Sequence, residues 1–292
     1  MTSLPPRHRT LSRSLLNELI KRQYGEDARL VAVKRAPRFG GTVFVVDYME
    51  RHRLIRLLGS VADDGHFTEQ SGMDMLHPER LAFSYERLQL LAFAMARRTD
   101  KALLLGLGGG AMYRHLKAYL PDCELTVVEL DETIIDIAGA YFRFDWPVLQ
   151  ADAEVVLSDA TNAYDVIHVD LYDARGVVSV EETFWQDCAR ALRSGGWLAV
   201  NWAEFADRAQ VAEEVRKISR YFAGNCFALP RGYGENLVQL ASKDEPFELT
   251  DLEPRLHRLA KDCRLPREDR DILERCEVSA VFPVKMRPGQ RG

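Results

Sequence analysis

From residue 101 onward the chain repeats one rhythm, a short apolar run followed by an amphipathic one: ALLLG, MYRHLKAYL, LTVVELD, TIIDIAGAYF, YDVIHVD, TFWQDCARAL, GGWLAVNW, QVAEEVRKISRYF. The apolar runs show no polar alternation, so strands built from them must be covered on both faces. Helical segments between such strands lead to a parallel sheet with helices on either side, a doubly wound α/β fold.

After Phe222 two further strands, NCFALP and NLVQLAS, are separated only by RGYGE. That connection is too short for a crossover, so the pair is antiparallel at one edge of the mostly parallel sheet. This ending is a feature of the methyltransferase-type Rossmann fold. Upstream, Leu15, Leu16, Leu19 and Ile20 mark a helix over 11–23, and the alternation around an FGG turn marks a small N-terminal β-meander of two or three strands. Between the two regions, apolar positions from Leu81 through Phe83, Leu88 and Leu91 to Met95 predict one long bridging helix. The expected division is 1–75 for the N-terminal helix and meander, 76–243 for the Rossmann-like domain, and 244–292 for a charged, Pro-punctuated tail with two short helices.

Nearly half of the 292 residues are apolar, enough for one large domain with a core. The net charge of -5 argues against nucleic-acid binding by bulk electrostatics and suits a cationic ligand. The five cysteines form no CxxC pair, which indicates neither a zinc cluster nor a disulfide framework and fits a reducing compartment. The basic N-terminus has no apolar signal core and no segment approaches transmembrane length, so a cytoplasmic protein without a membrane partner is expected. No metal site is expected from His66, His77 and His168; His168 lies inside an apolar strand, where a satisfied core residue is the simpler reading.

The segment GLGGGA places Gly106, Gly108, Gly109 and Gly110 where the first parallel strand turns into a helix. At that edge of an open sheet, ligands meet backbone amides and the helix N-terminus. Tight strand-to-helix packing explains such glycines equally well. Glu129 closes the next strand, where a carboxylate can accept two hydrogen bonds from ribose hydroxyls or remain a solvated strand end. In ADA, Asp152 with Ala153 follows a third strand; Asp152 is either an acceptor for an adenine amino group or a helix N-cap. The fourth strand delivers Asp170, Tyr172 and Asp173 to the same edge. Two crowded carboxylates attract a cation and raise one pKa toward a general base, unless Asp173 merely caps the next turn.

Over most of residues 30–243 these motifs resemble the spermidine synthase (polyamine aminopropyltransferase) family, of which the chain looks like a divergent member. GLGGGA aligns with the family's GGGDGG, VELD with its Glu and Ile-Asp strand end, ADA with its adenine-contacting DA, and DLYD with its D-S/T-S/T-D gate. The resemblance implies that Gln70 lies beside the sulfonium cofactor, that Tyr85 joins the catalytic Asp170, and that Asp173, Tyr172 and a displaced Tyr233 contact substrate. It also implies a homodimer through the meander. The departures are that Gly109 replaces the acid that pairs with the donor's free ammonium, and that the Asp-Glu before the Tyr and the following His are missing.

Three functions follow. In the first, an aminopropyl group passes from decarboxylated S-adenosylmethionine to a polyamine amine, with Asp170 removing the proton from an alkylamine of pKa about 10. In the second, the scaffold binds intact S-adenosylmethionine, whose carboxylate Gly109 tolerates, and transfers its methyl group. In the third, a non-catalytic module senses a nucleoside; retention of Glu129 and Asp170 speaks against it.

Overall fold

A computed structural model describes residues 12–63, 65–172, 180–203, 208–222, 226–229, 236–244, 254 and 282–283. The chain begins with helix α1 (Arg13–Tyr24), where the Ser12 hydroxyl accepts the Leu15 N–H at 3.2 Å and satisfies a free amide of the first turn. Leu16 and Ile20, four residues apart, are buried on one face. They pack on an antiparallel sheet of four consecutive strands: β1 (Arg29–Ala36), β2 (Gly41–Glu50), β3 (Arg53–Ala62) and β4 (Phe67–Asp74). The meander thus has four strands where two or three were expected. In β4, FTEQSGMD, the buried positions include the polar residues Thr68, Ser71 and Asp74, so apolar alternation could not reveal it.

The expected bridging helix is two short ones, α2 (Ser84–Gln89) and α3 (Leu91–Met95). Asp74 Oδ1 accepts the N–H groups of Leu76 and His77 at 2.9 and 3.1 Å, holding that stretch as a turn. Helix then starts at residue 84, where Glu86 Oε2 accepts the Phe83 N–H at 3.0 Å.

The second sheet is built by β5 (Lys101–Leu105), α4 (Ala111–Tyr119), β6 (Glu124–Glu129), α5 (Glu132–Tyr141), β7 (Leu149–Gln150), α6 (Ala153–Ser158), β8 (Tyr164–Val169), α7 (Glu182–Ala191), β9 (Leu192–Trp202), α8 (Arg208–Tyr221), β10 (Cys226–Leu229), β11 (Leu237–Ser242) and β12 (Phe282–Pro283). Its order is β12-β10-β11-β9-β8-β5-β6-β7. Strands β7, β6, β5, β8 and β9 are mutually parallel, while β11, β10 and β12 run antiparallel to their neighbours. The mostly parallel sheet with an antiparallel edge is therefore as expected. Leu104, Val166 and Ala199 enter one core while Leu103, Ile167 and Leu198 enter the other, so each central strand is buried on both faces.

After β6 and β7 the chain crosses from one side of β5 to β8 on the other. The reversal opens a crevice at the carboxyl ends of β5 and β8. The first sheet closes one wall of it. Asp131 caps α5 by accepting the Thr133 N–H at 2.8 Å through Oδ1, and accepts the Phe39 N–H at 3.0 Å through Oδ2. Arg56, paired with Asp47 at 2.7 Å, donates to the Tyr141 carbonyl at 2.9 Å. Cys123, Cys188 and Cys226 are buried free thiols. Among the described residues no helix is long and apolar enough to cross a membrane. The two helices expected in the tail lie outside the described residues.

Candidate active site

The glycine loop is tied to both strand ends. Gly106 has φ +95°, and a Cβ there would sit 2.2 Å from the Asp170 carbonyl oxygen, so only glycine allows β5 and β8 to end this close together. The Leu107 N–H then donates to Glu129 Oε2 at 3.1 Å, while Glu129 Oε1 accepts from the N–H groups of Leu130 and Asp131 at 2.8 and 3.0 Å. Burial pushes the Glu129 carboxyl above its ordinary value, and these three donors oppose the rise. Glu129 thus closes the loop as well as facing the crevice, and its remaining lone pairs stay available to a diol.

The crevice encloses a cavity of about 480 Å3. Gly106 and Gly108 line it, with Gln70 and Ser71 from β4 opposite. The Gln70 amide donates to Ser60 Oγ at 3.1 Å. Asp152 lines it too, and its Oδ1 accepts the Glu154 N–H at 2.9 Å. The N-cap reading of Asp152 is therefore met by geometry, with Oδ2 left to a ligand; Ala153, the first residue of α6, borders the same wall.

Asp170 follows β8 directly and its carboxyl lies deep in the crevice. Desolvation raises it to about 7, while the Asn201 side-chain amide, donating to Oδ1 at 2.9 Å, holds it down. Tyr172 lines the cavity, but its hydroxyl donates to the Asn201 backbone carbonyl and is committed there. Tyr85 is partly buried in α2 and stacks on Phe83 with ring centroids 5.7 Å apart. Burial first, and then the charge of Asp170, raise its hydroxyl well above the usual phenol range. Tyr85 therefore feels the Asp170 carboxylate although it also packs against the core. Asp173 and Tyr233 lie outside the described residues.

At Gly109 a Cβ would meet the Phe142 ring at 2.8 Å and Ser71 Oγ at 3.0 Å. The space of an acidic side chain is filled by an aromatic ring that is fully buried. The charge balance of the cavity is nonetheless strongly acidic: Glu86, Glu129, Asp152, Glu154, Asp170 and Glu181 line it, against Arg38 as the basic residue among the described lining.

Four lining or positioning residues escaped sequence reasoning. Asn201 ends the apolar run of β9 as Glu129 and Asp170 end theirs, and that strand-end position was the available signal. Glu86 and Gln89 look like the polar face of a surface helix but point into the cavity. His168, expected to be a satisfied core residue, is buried but lines the cavity without a hydrogen-bond partner among the described residues, apart from an approach to its own backbone. No group of metal-ligating side chains occurs among the described residues.

A mostly parallel Rossmann-type sheet with a glycine loop and two strand-end acids, Glu129 and Asp170, at the switch point defines a fold of the methyltransferase-like class. Comparison with known proteins narrows the class. The spermine/spermidine synthase domain matches residues 82–251, more than half of the chain, and the chain belongs to that family. A polyamine aminopropyltransferase of Neisseria meningitidis is 31% identical over 193 residues, covering 63% of this chain and 72% of the relative. Among solved structures, the spermidine synthase of Thermotoga maritima superposes with a TM-score of 0.58 at 17% identity, covering 84% of this chain and 88% of that one. Human methyltransferase-like protein 13 in complex with SAH gives 0.55 at 20% identity, covering 63% and 94%.

Proposed function

We propose that the chain is an aminopropyltransferase that moves the aminopropyl group of decarboxylated S-adenosylmethionine to an amine of a polyamine, with Asp170 as general base. The observation that carries this reading is the state of Asp170, a buried carboxyl raised to about 7 and oriented by Asn201 at the mouth of the glycine loop. A base of that pKa can take a proton from an alkylammonium near neutral pH, which contributes on the order of 100- to 10,000-fold. In the proposed sequence Asp170 accepts an amine proton, the freed nitrogen lone pair attacks the carbon next to the sulfonium, and the carbon–sulfur bond breaks with its electrons going to sulfur. Methylthioadenosine leaves neutral. Glu129 holds the ribose, Asp152 the adenine amino group, and Tyr85 orients the attacking nitrogen; Gln70 borders the sulfonium. Asp173, Tyr172 and Tyr233 are assigned to the acceptor side. The relatives named polyamine aminopropyltransferases support this assignment.

Gly109 favours a second reading, methyl transfer from intact S-adenosylmethionine, because no acid at that position repels the donor's carboxylate. Side-by-side calorimetric titration with S-adenosylmethionine, its decarboxylated form and methylthioadenosine separates the two. Preference for the decarboxylated donor and for methylthioadenosine supports aminopropyl transfer, preference for the intact donor supports methyl transfer, and no binding of any of the three leaves only a non-catalytic module. The proposal extends to organisation, with boundaries near residues 75 and 243. Met49 and Leu54, exposed cross-strand neighbours on β2 and β3, are the apolar surface that a homodimer through the first sheet would cover.

A further inference from the structure

The floor of the cavity carries polar chemistry that neither the glycine loop nor Asp170 uses. Helix α2 presents Glu86 and Gln89 three residues apart on one face. Strand β8 presents His168 two residues before Asp170, hence on the same side of the sheet as that carboxylate. All three line the cavity. All are nearly inaccessible to bulk water, Glu86 being 5% exposed, Gln89 0% and His168 3%.

Neither the amide oxygen nor the amide nitrogen of Gln89 has a hydrogen-bond partner among the described residues. The ring nitrogens of His168 also have none, apart from the approach to its own backbone. Glu86 has Oε2 engaged by the Phe83 N–H. A buried polar group without a partner forfeits its hydration with nothing in return. Two such groups beside a buried carboxylate, all facing one cavity, describe a site whose partner arrives from outside.

The donor and acceptor inventory selects that partner. Burial holds the His168 imidazole down at about 4, so at neutral pH it is uncharged and offers an acceptor nitrogen. Gln89 offers Oε1, and Glu86 a carboxyl that burial raises to about 7 and that a bound ammonium would hold in its charged form. A primary ammonium group brings three N–H donors and a positive charge to match three acceptors. An anion would instead face Glu86 and Asp170, with only the exposed Arg38 of the described lining to balance them.

We propose that Glu86, Gln89 and His168 form a subsite for a primary ammonium group of the substrate, supplying the counter-charge that the glycine loop lacks at Gly109. This rests on the aminopropyl-transfer reading for the source of the ammonium, which is either the free end of the donor or the far end of the acceptor. The site chemistry is the same for both.

Calorimetric titration of wild type, Glu86→Gln, Gln89→Leu and His168→Leu with two ligand pairs tests the subsite and distinguishes the sources. Methylthioadenosine and decarboxylated S-adenosylmethionine differ by the aminopropyl arm; butylamine and 1,4-diaminobutane differ by one amine. The variants are expected to lose at least about tenfold in affinity for the ammonium-bearing member of one pair, while methylthioadenosine and butylamine stay within about twofold. Loss confined to the decarboxylated donor places the donor's end on the floor, and loss confined to the diamine places the acceptor's. Glu86→Gln, nearly isosteric, carries the test if the apolar variants do not fold. Unchanged ratios within both pairs, or no wild-type preference for either ammonium-bearing member, overturn the subsite. Failure of methylthioadenosine to bind wild type refutes the nucleoside-donor reading separately, and the diamine arm still judges the subsite.

Discussion

The side-chain amide of Asn201 donates to Asp170 Oδ1 at 2.9 Å, while the backbone carbonyl of the same residue accepts from the Tyr172 hydroxyl. One residue at the end of β9 thereby orients the buried carboxylate and the phenol beside it. Because the hydrogen bond favours the charged form of Asp170, it holds down a pKa that burial has raised to about 7. The kcat/KM of the wild type should rise with pH through about 7 as the base form appears. Replacing Asn201 by Leu should move that limb upward by roughly one pH unit. A pH–rate profile checks both, and an unmoved limb in Asn201→Leu would detach the amide from the titration.

Asp170→Asn should reduce turnover by at least about 100-fold and leave methylthioadenosine affinity within about twofold, since the proposed nucleoside contacts are made by Glu129 and the loop. It should also change stability in a pH-dependent way. The folded pKa, about 7, lies above the ordinary 3.8, so the wild type loses stability as pH rises between those values and carries the full penalty above pH 7. The neutral variant escapes it. Its Tm should exceed that of wild type by about 3 °C or more at pH 8 and match it below pH 4, which thermal melts at the two pH values will show.

Gly109→Asp restores the acid of the family motif but not the room for it. With Cβ contacts of 2.8 Å to Phe142 and 3.0 Å to Ser71, the single variant should lose about 1–3 kcal/mol of stability to overpacking. Adding Phe142→Leu should recover part of that loss, and the double variant should favour the decarboxylated over the intact donor relative to wild type. Denaturant melts read the first effect and paired donor titrations the second.

Gly106→Ala is expected to be the most damaging change in the loop. It combines a positive φ with a 2.2 Å approach to the Asp170 carbonyl, so β5 and β8 must part at their ends. A loss of roughly 2–4 kcal/mol, together with weaker methylthioadenosine binding, is the expected result. Full retention of both would mean that the loop accommodates a side chain by another path.

The parts of the site readable in the sequence are those signalled by a run of like residues. Glu129 and Asp170 each follow an unbroken apolar stretch, and an acid at such an end stands out. The glycine loop stands out for the same reason. Strand β4 was hidden because polar residues, Thr68, Ser71 and Asp74, occupy buried positions there and break the apolar alternation. The late start of helix at residue 84 depends on Asp74 and Glu86 side chains reaching back to the backbone, which periodicity does not register. Gln89 and His168 were legible as residues but not as lining, because the cavity is made by pieces distant in sequence. The filling of the Gly109 space by Phe142 is of the same kind.

The two oxygens of Asp131 serve different halves of the molecule, one capping α5 and the other holding the Phe39 amide of the first sheet. The carboxyl end of β6 and the hairpin that walls the crevice consequently share a single anchor. A transplant of the Rossmann-type half alone would carry the glycine loop and both strand-end acids, yet arrive with an open side and a carboxylate oxygen facing nothing. Portability of this catalytic module ends at that carboxylate: the first sheet is part of the vessel, and chimaeras within the family should be cut so that Phe39 and Asp131 come from the same parent.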